Sequence, residues 1–350
     1  MKKFIFLLFI SSVITSCIPP AGGPAPTIKA VDESVNLSRI AIGSCCRQDQ
    51  NLSIFSKIRN TNPDLYIAMG DNMYADLGAV TGDPTTFIQQ QYDFLNNNYD
   101  FKTLRANVQC IGTWDDHDYG LNNAGTEYPY KNQSKDLFMN FWNEPSTSPR
   151  RTRDGVYTSY MYGDANHKVQ IIVLDCRYNL DVISAEPITP TSDTTKTILG
   201  ATQWAWLKQE LLKPAKVRIV VSSSQMCIQN NGWEGWPNYP HELEKFFKTV
   251  KDANAEGVFV VSGDVHYSEF SKRNPAGQYP IYDFTSSGLT HTENGAAANM
   301  YRIGTPYVNL SFGLIDINWA ATPVQISLGI CDFNGNIVKS QVVSLDELKF

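Results

Sequence analysis

From about residue 38 the chain alternates between short runs that are apolar throughout and longer stretches with apolar residues at helical spacing. Residues 39–43 (RIAIG), 64–70 (DLYIAMG), 108–114, 168–176 (KVQIIVLDC), 217–223 and 257–262 read as strands. Between them, 52–60, the long stretch 85–107, 134–142, 201–212 and 241–253 read as helices. From Ile281 onward the pattern becomes strand-rich, through YDFTSSG, VNLSFGLIDINW, VQISLGICDF and IVKSQVVSL. Strands without polar alternation are buried on both faces, so the pattern predicts an α/β layered fold. No repeat or internal linker interrupts it, and one domain is expected over 38–350.

The polar residues are concentrated where these strands stop. Ser44 and Cys45 follow the first, Asp71, Asn72, Met73 and Tyr74 the second, Asp115, Asp116, His117 and Asp118 the third, and Asp264, Val265 and His266 the strand ending at Gly263. Carboxyl ends of strands are where open α/β sheets bind ligands, so four distant loops are expected to converge on one site.

The amino terminus sets the compartment. MKKFIFLLFISSVITSC has two lysines, an apolar stretch and a small-residue end. It is too short for a membrane span of roughly 20 residues and reads as a signal peptide over residues 1–16. Ile14, Thr15, Ser16 and Cys17 resemble a bacterial lipobox, which makes Cys17 the expected lipidation site. The Pro/Ala/Gly-rich residues that follow read as a flexible tether, with 17–37 outside the folded domain. The expected location is therefore extracytoplasmic, lipid-anchored to a bacterial membrane at its periplasmic face or the outer membrane. Six cysteines remain beyond Cys17 (45, 46, 110, 176, 227 and 331); their scatter through a large chain leaves disulfides undecided. With a net charge of −6 and no Lys/Arg run, no nucleic-acid surface is evident. A monomer is expected.

The cluster Asp115–Asp118 contains three carboxylates. Two unit charges about 4 Å apart repel by roughly 1 kcal/mol in water and about 4 kcal/mol at an effective dielectric near 20. The nearest cation in sequence, Arg105, could compensate only part of that, and a bound cation is the more economical counter-charge. Gly70 with Asp71, and Gly263 with Asp264, repeat one device in which glycine lets the chain turn and bring a carboxylate to the strand end. Tyr74 and His266 extend each loop with a further possible ligand. Cys45 has three readings: an inert buried thiol, a nucleophile with His117 as base, or a soft ligand. Thiolate, phenolate and carboxylate together suit Fe(III), and all-oxygen positions suit Ca²⁺ or Mn²⁺.

The series GSC (43–45), GDNMYAD (70–76), WDDHDYG (114–120), LDCRY (174–178), LGATQWAWL (199–207), GWPNYPHE (235–242), SGDVHYSE (262–269) and SSGLTHT (286–292) resembles, in this order, the motifs of PhoD-like alkaline phosphatases. These belong to the calcineurin-like metallophosphoesterase superfamily. The resemblance implies a four-layer αββα sandwich with two central mixed β-sheets and a centre of two or more metals. It makes Asp71 the bridging carboxylate and Cys45 and Tyr74 ligands of an iron-like site. Asp116 falls at the asparagine of the superfamily's Gly-Asn-His-Asp/Glu motif, and His117 at its catalytic histidine. Asp264 and His266 match a Gly-His-x-His pair with aspartate in the first place. Gln225 stands where another metal-site histidine would be, and Asn122 where relatives carry Asn-Asp; His291 is assigned to substrate. Asp115 and Asp118 are expected to orient Asp116 and His117 by hydrogen bonds rather than bind metal.

The expected activity is hydrolysis of extracytoplasmic phosphate esters by metal-activated hydroxide, with Fe(III) plus Ca²⁺ and with Mn²⁺ or Zn²⁺ as alternatives. A phosphodiesterase of phospholipase-D-like type is the second reading. A Cys45/His117 covalent hydrolase and a non-catalytic metal-binding surface lipoprotein are the readings from other classes.

Overall fold

The structure is a computed structural model and describes residues 27–78, 82–183 and 187–350. The expected signal peptide, Cys17 and most of the Pro/Ala/Gly-rich stretch lie outside the described residues. In chain order the elements are β1 (Arg39–Gly43), α1 (Ile54–Asn60), β2 (Leu65–Met69), α2 (Thr85–Asn97), α3 (Tyr99–Asn107), β3 (Gln109–Thr113), α4 (Asp116–Tyr119), α5 (Lys131–Phe141), β4 (Thr158–Tyr162), β5 (Val169–Val173) and α6 (Gly200–Leu211). There follow β6 (Val217–Val221), α7 (Pro240–Asp252), β7 (Val258–Ser262), β8 (Ser268–Arg273), β9 (Ile281–Ser286), β10 (Arg302–Tyr307), β11 (Ser311–Asn318), β12 (Gln325–Asp332) and β13 (Ile337–Ser344).

The strands form two mixed sheets, one ordered β13-β12-β11-β1-β2-β3 and the other β10-β8-β9-β7-β6-β5-β4. Side-chain alternation decides what lies between them. Ile40, Ile42, Ile67 and Met69 point into a core shared with Ile219, Val221, Phe284 and Ile315. Ala41, Tyr66 and Ala68 point the other way, into a second core with Phe55, Ile58, Phe101 and Trp142 from the covering helices. At Gly313 of β11 the two sheets pack closely: a Cβ there would lie 2.8 Å from Phe284 of β9 in the facing sheet. On the far face, α7 buries Leu243, Phe246, Phe247 and Val250, an i, i+3, i+4, i+7 stripe. Helix, sheet, sheet, helix is the expected layering.

Several boundaries differ from those read in the sequence. The stretch 85–107 is two helices, because Asn98 takes an extended conformation (φ −64, ψ 132) and its side chain caps α3 by accepting from Asp100 N and Phe101 N. Strands β4, β8 and β10 were not anticipated; β4 and β10 are only half-covered and carry no continuous apolar run. Part of the segment assigned to the tether is hydrogen-bonded in place. Lys29 N donates to Arg105 O at 2.8 Å, Asp32 N to Gln109 Oε1 at 2.6 Å, and Gly163 N to Glu33 O at 2.8 Å. Among the described residues no helix is long and apolar enough to cross a membrane, and the six described cysteines are free thiols.

Candidate metal centre

The loops that follow β1, β2, β3 and β7 meet at one edge of the sandwich, held by backbone that ordinary residues avoid. Cys45, Asp71, Asp264 and His266 have φ of 60, 49, 76 and 60°. Each left-handed non-glycine residue costs roughly 1–2 kcal/mol, so four at one edge mark a place where geometry outweighs local stability. Gly70 (φ 101°) makes the turn before Asp71, and a Cβ there would lie 2.7 Å from Asp115 Cβ.

Four groups of ligand-type side chains result, with their donor atoms within 4.8 Å of one another in each: Cys45/Asp71/His266, Asp71/Asp116/His117, Asp115/Asp116/Asp264 and His266/His291/Glu293. Asp71, Asp116 and His266 each belong to two groups, so the positions are contiguous. Cys45 Sγ lies 3.4 Å from Asp71 Oδ2 and 3.0 Å from Ser287 Oγ. Tyr74 OH donates to Asp71 Oδ2 at 3.4 Å and is 3.0 Å from His266 Nε2. The expected set Cys45, Asp71, Tyr74, Asp116, Asp264, His266 and His117 is therefore assembled in one place.

The electrostatics call for a cation. Asp71 Oδ1 and Asp115 Oδ2 are buried and have no hydrogen-bond partner, a costly condition for carboxylate oxygens. Burial, followed by the charges of Cys45 and the neighbouring aspartates, pushes the Asp71 carboxyl well above the ordinary range. Burial and the same acidic surroundings do likewise for Asp264, and burial raises the Cys45 thiol. A bound cation reverses each of these penalties, and a mixed S, O and N donor set fits a centre with soft and hard positions.

His117 sits at the mouth of the cluster. Burial works against its charge, but the Asp76 hydrogen bond and the negative charges of Asp116, Asp76 and Cys45 together outweigh it and raise its pKa to about 9. Its ring stacks on Tyr74 with centroids 4.0 Å apart. Asp118 belongs to none of these ligand groups but straps their loops together, accepting from Asp115 N at 2.7 Å, Asp71 N at 3.2 Å and the Asn72 amide.

Three expectations change. Arg105 is not the counter-charge: it bonds Asn96 Oδ1 and Phe141 O beneath the helices. The cation at the cluster is Arg177, fully buried, with Nε 2.5 Å from Asp115 Oδ1 and its two terminal nitrogens on Glu234 at 3.0 and 2.7 Å. Gln225 Nε2 donates to Glu269 Oε1 and Thr285 Oγ1, while its Oε1 is buried without a hydrogen-bond partner. Asn122 is exposed, and it is the next residue, Asn123, whose N–H donates to Asp116 Oδ2 at 2.7 Å. Asp115 Oδ1 accepts from Arg177 Nε and Ser223 Oγ rather than from Asp116 or His117, and its Oδ2 is left as a free ligand oxygen. His291 lies against His266, ring centroids 4.5 Å apart. Asp76, Arg177, Glu234 and Glu293 were not singled out from the sequence; Asp76 and Arg177 stand inside motifs already quoted, GDNMYAD and LDCRY, which was the available signal.

Two mixed sheets between helices, with thiol, phenol, carboxylate and imidazole donors at the strand ends, define a protein of the metallophosphoesterase fold class. Within that class the chain belongs to the PhoD-like phosphatase family, whose model matches residues 40–306. It is similar to alkaline phosphatase D of Bacillus subtilis (strain 168), at 24% identity across 78% of this chain and 54% of that protein, so it spans about half of that relative's length. A solved structure described as that of PhoD superposes with a TM-score of 0.72 at 18% identity, covering 91% of this chain and 70% of the other, which shows the fold.

Proposed function

We propose that the chain is a metal-dependent phosphoric ester hydrolase acting outside the cytoplasm. The observation that carries this reading is Asp71: a buried carboxylate shared by two ligand groups, with one oxygen left without a partner. Family membership supports the ester chemistry, and the curated relative is itself called an alkaline phosphatase.

Cys45, Asp71, Tyr74 and His266 would hold an iron-like ion, and Asp71, Asp115, Asp116 and Asp264 a calcium-like one, with Mn²⁺ or Zn²⁺ as alternatives. When bound, such cations supply positive charge against the phosphoryl oxygens and acidify water. The chain's own residues do the rest. His117, protonated below its pKa of about 9, gives a proton to the departing alkoxide as the ester P–O bond breaks. The water oxygen bonds to phosphorus, one water proton passes to solvent, and His117 is reprotonated from solvent afterwards. Asp76 holds the ring at Nδ1 and so leaves Nε2 as the donor. A positioned general acid of this kind is worth about 10²–10⁴-fold. Lipidation at Cys17, a tether ahead of the catalytic domain and a monomeric state complete the proposal.

The test uses the purified full chain: metal content by elemental analysis, and turnover of an aryl phosphate and a bis-aryl phosphate with and without chelator. Bound metal, chelator-sensitive turnover and loss of both in Asp71→Asn are expected; the ratio of the two rates separates monoesterase from diesterase. Bound metal without turnover of either ester would reject the hydrolase in favour of a binding protein. Turnover that survives chelation but not thiol alkylation would point to Cys45 as a nucleophile instead.

A further inference from the structure

Beside the acidic centre is a cleft of different chemistry. Its wall is formed by Leu180, Val182, Ile183, Ile188, Ile198 and Tyr239. All but Val182 and Ile183 are buried, and those two are half-buried. Its inner end is polar, with Asn123, Cys176, Arg177, Ser224, Glu234 and Asn238, and the Asn238 amide is already bonded to Asn230 and Trp233 O. Two of these connect it to the centre directly: Asn123 N–H donates to Asp116 Oδ2, whose Oδ1 accepts from His117 N at 2.9 Å, and Arg177 binds Asp115. One carboxylate, Asp116, thus separates the proton donor's loop from the inner end of the cleft.

The walls are preformed. Ile188 N donates to Gly232 O at 2.9 Å, Asn230 Nδ2 to Ile188 O at 3.0 Å, Thr191 N to Asn238 O at 2.9 Å and Tyr239 OH to Asp181 O at 2.8 Å. These bonds tie residues 181, 188 and 191 to the loop after β6, so the described walls are held in place before the cleft is filled. Its charge is also spoken for. Among the described residues of the lining Arg177 is the cation, and it is already engaged by Asp115 and Glu234, so it offers nothing to a second phosphate or a carboxylate.

We propose that this cleft seats the organic group of the ester and selects an uncharged, compact apolar alcohol, aliphatic or aryl, over polyols and over alcohols bearing a second anionic group. This rests on the hydrolase reading above, and the experiment keeps the two apart. The metal-loaded full chain is assayed on ethyl, propyl, butyl and pentyl phosphate, whose leaving groups are nearly equal in acidity, and on glycerol phosphate. kcat/KM is expected to rise about threefold to fourfold per methylene until the cleft is full, with glycerol phosphate below propyl phosphate. Ile183→Ser should flatten the series, lowering the pentyl-to-ethyl ratio. A flat wild-type series, or glycerol phosphate as the better substrate, overturns the proposal while leaving the hydrolase intact. If no ester turns over, the hydrolase fails, and the cleft is then read by calorimetry with ethyl- to pentylphosphonate. Affinity that rises with chain length sustains it, and affinity independent of length rejects it.

Discussion

His117 Nδ1 lies 2.7 Å from Asp76 Oδ1 and 2.9 Å from Asp76 Oδ2, so a carboxylate from the loop after β2 fixes an imidazole from the loop after β3. With His117 protonated below about 9, activity should hold through neutral pH and fall as pH rises past 9. In Asp76→Asn the pKa falls toward the ordinary histidine range, and the alkaline limb moves to lower pH. At pH 8 that costs roughly tenfold in kcat, with a smaller loss at pH 6. The linkage has the same sign: a histidine raised in the folded state stabilises fully below its ordinary pKa and loses that contribution as pH rises through 9. A pH–rate profile of the two proteins decides the matter; an unmoved limb would exclude His117 as the donor.

Arg177 is 1% exposed and bonded on both sides to carboxylates. Removing one partner from a buried ionic network leaves uncompensated charge, typically at about 3–5 kcal/mol. Arg177→Met is expected to lose stability on that scale in denaturant unfolding, and part of the loss should return on adding metal. A change below about 1 kcal/mol would mean that Asp115 and Glu234 stay protonated in the variant.

Metal removal should invert the pH dependence of stability. In the metal-free chain burial raises Asp71 and Asp264 well above the usual range and Asp118 to about 7. A carboxyl raised in the folded state loses stability as pH climbs from its unfolded value through its folded one. The chelated protein should therefore melt at a higher temperature near pH 5 than at pH 8. The metal-loaded protein should lack that decline. Thermal scans at the two pH values, with and without chelator, measure it.

Asn98 separates α2 from α3 by accepting from Asp100 N at 3.0 Å and Phe101 N at 3.1 Å. Asn98→Ala should cost about 1 kcal/mol of stability and leave ester turnover unchanged, since the Asn98 side chain bonds the backbone of its own helix and not the ligand cluster. Equilibrium unfolding and an activity assay suffice.

The contrast between Asn98 and Arg177 describes what the sequence made legible. Apolar runs such as VRIVV and the Leu243/Phe246/Phe247/Val250 stripe declare their elements locally, because periodicity is a near-neighbour property. The helix break at Asn98 was local too, but its polar cap lay hidden in a continuous amphipathic pattern. The ligand loops could be read because each packs several donors into a few residues after a strand. Arg177 could not, since it reaches Asp115 across 62 positions, while Arg105, ten residues away, goes elsewhere. Pairings made by folding leave no spacing to read. The half-covered strands β4 and β10 escaped for a related reason, as their burial depends on partners distant in the chain.

The arm at Lys29, Asp32 and Glu33 crosses from the start of β3 to the turn between β4 and β5. It therefore sits at the strand beginnings, whereas the acidic centre occupies the strand ends. A pull on the amino end of the chain would be carried as shear by the seam between these two edge strands. The catalytic loops would stay mechanically quiet, so the molecule can be held by its amino end without bending the centre it presents at the other.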